Sequence, residues 1–117
     1  MRSAKGMRAQ ALKEIRAFRR GAVTVEAVPS MGYAVYKYAG NAIASYHSHA
    51  DRLAFSMAGW PSRTTAAHLR ALGVPIRTVE GVTCCGKRPI DPGYNIWYTI
   101  VDGVAVRTGC HAEPTTG

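Results

Sequence analysis

Cys84, Cys85 and Cys110, together with His111, are the side chains of this chain best suited by type to hold a zinc ion. If the stretch after Thr83 met the C-terminal segment they would form a Cys3His set, a composition that structural zinc takes. Adjacent cysteines, however, lack the two-residue gap that turns both thiolates toward one ion, so buried or surface thiols are the expected state. Cys85 as a nucleophile with His111 as its base is a second arrangement of the same residues. Nothing in their spacing brings the two together, and a lone cysteine more often serves as a small core hydrophobe.

A second cluster, His47-Ser48-His49-Ala50-Asp51, alternates two imidazoles with a carboxylate. It resembles the HxHxD core of metallo-β-lactamase-type binuclear zinc sites. The next position in that family is His and here is Arg52, and the family's sandwich and later ligands need far more chain than 117 residues. A solvated turn between strands explains the same residues, so no metal and no cofactor is expected. Gly86-Lys87-Arg88 lacks the upstream glycine and the following Ser or Thr of a phosphate-binding loop. The seven acidic residues are scattered singly, leaving little material for paired-carboxylate chemistry. The chain is therefore read as a non-enzyme.

The elements that must position these residues follow from periodicity. Met7, Ala11, Ile15 and Phe18, with Leu12 beside them, recur at helical spacing and predict a helix over residues 1–20 that runs to about Arg19, with Gly21 ending it. Ala22–Val28, Tyr33–Ala39, Ala42–His47 and Arg52–Met57 read as strands of a meander, with Gly40-Asn41 as a two-residue turn. Pro61 and Ser62 open a central helix whose Ala66, Leu69 and Leu72 face inward, stopped by Gly73 and Pro75. Ile76–Thr83 is a further strand, Cys84–Gly93 a loop, and Tyr94–Val101 and Val104–Arg107 a hairpin about Asp102-Gly103. The tail, 112–117, is polar and expected to fray. The expected fold is one α+β domain over 1–117: an antiparallel sheet of about five or six strands, a basic N-terminal helix and one central helix.

Charge narrows the partner. Fifteen Lys and Arg oppose seven Asp and Glu, a net +8. Arg2, Lys5, Arg8, Lys13, Arg16, Arg19 and Arg20 against Glu14 give 7 − 1 = +6 within the first twenty residues, so 8 − 6 = +2 remains for the other 97. Like charges three and four apart on a helix repel, so those seven cations are taken as a binding face for phosphate backbone or for an acidic protein surface. Tyr33, Tyr36, Tyr38, Tyr46, Trp97 and Tyr98 offer a stacking platform for single strands, although alternation puts most of them half in the core. The odd cysteine count argues for a reducing compartment, and no apolar run approaches the roughly 18 residues of a membrane span. The basic start also reads as a mitochondrial transit peptide; no apolar run follows it as in a secretory signal. It makes sense as part of the fold, which is the reading taken.

Tyr38 to about Leu72 resembles small proteins encoded by tailed bacteriophages and prophages, about a third of the chain. The matching residues are Gly40-Asn41-Ala42-Ile43-Ala44, Gly59-Trp60, Thr64-Thr65 and His68-Leu69, where the group usually has Arg before that Leu. The group carries no assigned activity, so no catalytic residue transfers. What the resemblance implies is a phage context: an accessory protein in the cytoplasm of a bacterial host, binding a host protein or ribonucleoprotein as an anti-CRISPR-type inhibitor of defence. The alternative is a sequence-nonspecific nucleic-acid-binding module. Within the motif, Trp60 is expected to pack under the central helix, with Leu69 closing it on the meander.

Overall fold

The computed structural model describes residues 10–59 and 62–108. Antiparallel sheet dominates it. The strands are β1 (Phe18–Arg20), β2 (Val23–Val28), β3 (Tyr33–Tyr38), β4 (Asn41–His47), β5 (Arg52–Phe55), β6 (Ile76–Val79), β7 (Val82–Cys85), β8 (Arg88–Pro89), β9 (Trp97–Val101) and β10 (Val104–Thr108). A 3-10 turn covers Pro29–Met31, and α1 spans Arg63–Ala71. One sheet has seven strands in the order β1-β2-β3-β4-β5-β9-β10, and a second has three, β6-β7-β8. The described part is thus mostly antiparallel sheet with a few short helical segments, and it holds more strands than the five or six expected.

Two of the extra strands arise where one strand was read. Glu80 and Gly81 both adopt positive φ, 51° and 81°, as the two central residues of a type I′ turn require, and fold Ile76–Thr83 back on itself. The expected loop then supplies β8, because Cys84 and Cys85 pair with Pro89 and Arg88. At Asp102-Gly103 (φ 51° and 79°) the predicted hairpin forms. The turn expected at Gly40-Asn41 lies one residue earlier, at Ala39-Gly40 (φ 51° and 83°), and Asn41 already pairs with Tyr38.

Alternation assigns the large sheet's faces. Val23, Val25, Ala34, Tyr36, Ala44 and Phe55 align across neighbouring strands and are all buried. Between Tyr36 and Lys37 the register shifts, and the bulge gives β4 an extra residue, so that Ile43 and Ala44 both reach the core although they are consecutive. Helix α1 packs over this face through Ala66, Leu69 and Leu72, in contact with β4 and β6. Ser62 caps it, its Oγ accepting the Thr65 N–H at 3.1 Å. At the other end Val74 N–H reaches Leu69 O and Gly73 N–H reaches Arg70 O, with Gly73 at φ 92°. That closure satisfies the last carbonyls and brings fully buried Val74 onto fully buried Leu69. The expected cap at Ser62, the stop and the buried side of the central helix therefore stand; Trp60 and Pro61 lie outside the described residues.

Candidate nucleic-acid interface

Arg16, Arg19 and Arg20 sit on a different scaffold from the one expected. Residues 10–13 are helical, with Ala11 and Leu12 fully buried, but the helix ends there. Ile15 takes the left-handed conformation (φ 53°), its N–H reaches Leu12 O, and Arg16 N–H reaches Ala11 O at 2.9 Å. A β-branched residue in that region costs about 1 to 2 kcal/mol, offset here by packing of the Ile15 side chain against the core. The chain then extends as β1, Phe18 packs on the same core, and Gly21 (φ 60°) turns β1 into β2. The helix predicted to reach Arg19 is thus corrected: tertiary pairing with β2 outweighs the helical periodicity of Phe18.

This changes the charge geometry. Lys13 and Arg16 are exposed just before β1, and Arg19 and Arg20 are exposed on it. Because neighbouring strand residues point to opposite faces, Arg19 and Arg20 flank the sheet edge rather than share a stripe. Glu14 lies among them in sequence, 3.6 Å from Arg16, and both side chains are about half exposed, a pair of little energetic weight. Arg2, Lys5 and Arg8 lie outside the described residues. Arg19 pairs with Thr24, and Thr24 with Lys37, so these three form one cross-strand row on the sheet face away from α1. Lys37 Nζ is 2.9 Å from Glu26 on that face.

The expected platform of strand aromatics is largely buried. Tyr33, Tyr36 and Trp97 are inside, and Tyr38, Tyr46 and Tyr98 are half-buried. Tyr94, read as the first residue of a strand, instead belongs to a turn and is 78% exposed. The signal that marks it is its place just after Pro92-Gly93, which ends one extended segment before Trp97 begins the next.

The His47–Asp51 cluster does not converge, and of the thiol set only Cys84 and Cys85 fall among the described residues. His47 packs against the Tyr33 ring at 4.8 Å, His49 is exposed in the β4–β5 turn, and Asp51 accepts a 2.6 Å hydrogen bond from the Tyr46 hydroxyl. Among the described residues no group of three His, Cys, Asp or Glu is placed to hold a metal ion. Cys84 and Cys85 are buried free thiols on opposite faces of β7, and burial pushes the Cys85 thiol above its ordinary value. Cys110 and His111 lie outside the described residues. His68, fourth of the motif positions, is buried on α1, where its Nδ1 meets the Tyr36 hydroxyl at 2.7 Å. A cavity of about 320 Å³ lies between the β3–β4 turn and the start of α1, and two of its hydroxyls, Ser62 and Thr65, bond to each other. Its lining among the described residues holds no His, Asp, Glu, Lys or Cys.

No helix among the described residues is long and apolar enough to cross a membrane. Comparison with known proteins returns no matching family model, no matching curated protein and no matching solved structure.

Proposed function

We propose that this protein acts by binding rather than by chemistry, through the positively charged edge at Lys13, Arg16, Arg19 and Arg20. The observation that carries the reading is the crowding of four exposed cations around a three-residue edge strand with a single acid among them. Such an edge has few productive roles in the fold itself, whereas phosphates in a row release counterions when they meet it. The phage resemblance supplies the context: an accessory protein in an infected bacterial cytoplasm whose partner is a host defence ribonucleoprotein, blocked in the anti-CRISPR manner. A second reading, a sequence-nonspecific nucleic-acid module, is favoured by the exposure of Tyr94.

Binding of the purified protein to random duplex, to single-stranded DNA and to a purified RNA-guided defence complex separates these readings across a salt series. Steep loss of DNA affinity with salt supports the module. Retention on the complex without DNA binding supports the inhibitor. Failure to bind any of the three at low salt removes both. In the first case, glutamine at all four cations should flatten the slope of log affinity against log salt by roughly 3, at about 0.7 to 0.9 per phosphate contact.

A further inference from the structure

Tyr94 is not loosely exposed; its loop is tied down on several sides. Gly59 N–H donates to Pro92 O at 2.9 Å, Asp91 N–H to the Tyr98 hydroxyl at 2.8 Å, and Gly93 N–H to Asp91 Oδ1 at 2.9 Å. The approach of Gly59 to this loop is so close that a Cβ there would lie 3.2 Å from Tyr94 N. A loop whose backbone is held this way carries the exposed Tyr94 ring at a set place on the surface, and a pre-ordered backbone lowers the entropic cost of binding through that ring.

Beside that ring lies a cleft of about 270 Å³ between the loop and the β3–β4 turn, lined by Lys37, Asn41, Asn95, Trp97 and Tyr94 among others. The two amides each offer donors and an acceptor. Among the described residues Lys37 is the one charged member of the lining, and Glu26 engages it, so this described part of the cleft is close to neutral. Neutral polar edges beside an aromatic face suit a heterocyclic base better than a phosphate. A cation of the basic edge, Arg19, lies on the same sheet face. Ala42 of the cleft pairs with Lys37, Lys37 with Thr24, and Thr24 with Arg19, a row crossing four strands at about 4.8 Å each.

We infer that this cleft takes an unpaired base of a single-stranded nucleic acid, stacked on Tyr94, while the strand's phosphates lead along the row to Arg19 at the basic edge. A base inside a duplex has both faces and its pairing edge occupied, so it cannot enter. The inference rests on the nucleic-acid branch of the reading above and specifies its substrate class.

The test measures dissociation constants of fluorescent oligothymidylate and of a blunt duplex for the wild type, Tyr94→Ala, Tyr94→Phe and Arg19→Gln. Tyr94→Ala should weaken oligothymidylate by about fivefold or more, the effect of losing one stacked base. Tyr94→Phe should stay within about twofold of wild type because the ring persists, and duplex affinity should not change in either variant. Arg19→Gln should weaken both probes and reduce the salt slope. An unchanged thermal midpoint for Tyr94→Ala verifies that the exposed position has no folding role. The inference is overturned if Tyr94→Ala leaves oligothymidylate binding intact, or if the duplex loses as much. If wild type binds neither probe at low salt the inference also falls, while retention on the defence complex still decides the inhibitor reading separately.

Discussion

The Tyr36 hydroxyl lies 2.7 Å from His68 Nδ1, joining the middle of the large sheet to the helix that covers it across 32 residues of sequence. Both residues are buried, and the Tyr38 ring packs on the same imidazole at 4.5 Å. A polar contact set in an otherwise apolar layer stabilises little in net terms, but leaving one member without the other exposes the full desolvation cost. Tyr36→Phe should therefore destabilise the protein by about 1 to 3 kcal/mol in urea unfolding. Tyr36→Phe combined with His68→Leu should cost less than the sum of the two single changes, because both polar groups leave together. Strict additivity would show that the contact carries no coupling.

Ser45 presents the reverse situation. It is fully buried in the middle of β4, between cross-strand neighbours Val35 and Ala54, and its Oγ has no hydrogen-bond partner among the described residues. A dehydrated hydroxyl without a partner costs about 1 to 3 kcal/mol. Ser45→Ala removes that cost with the loss of one small atom, so it should leave stability unchanged or raise it by about 1 kcal/mol. A clear fall in the urea midpoint would mean that the hydroxyl is satisfied in solution.

Much of this framework was legible from residue types. β2 to β5, the cap at Ser62, the stop at Gly73 and the hairpin at Asp102-Gly103 each have a local cause that alternation or turn chemistry displays. What escaped was non-local. Phe18 continues the helical stripe of Ala11 and Ile15, and only its pairing with Val25 makes it a strand residue. Glu80-Gly81 does carry a turn signal, but the flanking Val79 and Val82 read equally well as one continuous strand. Of the candidate site, the cations were visible as a cluster while their arrangement about an edge was not. The same holds for the aromatics, since burial depends on which strand face meets α1.

Tyr46 and Asp51 predict a pH effect. The Tyr46 hydroxyl donates to Asp51, and that hydrogen bond, followed by burial and by the neighbouring carboxylate's charge, raises its pKa above 10.0. The folded chain thus keeps this proton at pH values where the unfolded chain has lost it. The associated stability is complete below about pH 10 and is lost as the pH climbs through the folded value. Followed by the carbon chemical shift of its ring, Tyr46 should titrate above the ordinary tyrosine value of about 10. Asp51→Asn should lower its midpoint, because deprotonation no longer sets phenolate against carboxylate. Asn also tolerates the positive φ of 45° at this turn, so the fold should survive. A midpoint that ignores the substitution would remove Asp51 as the cause.

Two glycines at nearly the same φ separate backbone strain from steric fit. Gly21 at 60° turns β1 into β2 with nothing within 4 Å of an added Cβ. At Gly32, φ 63°, the same atom would meet Ser48 Oγ at 2.6 Å and the His49 ring at 2.8 Å. The Gly32 carbonyl also accepts the Ser48 N–H at 2.8 Å and its hydroxyl at 3.2 Å, which fixes the β4–β5 turn beside the turn that opens β3. Gly21→Ala should therefore cost only the left-handed penalty of about 1 to 2 kcal/mol. Gly32→Ala should cost that plus the loss of the Ser48 contacts, about 1 kcal/mol more. His49 is exposed and can swing aside, so the extra term should come from Ser48. Hydrogen exchange locates it: the Ser48 amide should lose protection in Gly32→Ala and keep it in Gly21→Ala. Equal costs with equal protection would show that the turn relaxes without resisting.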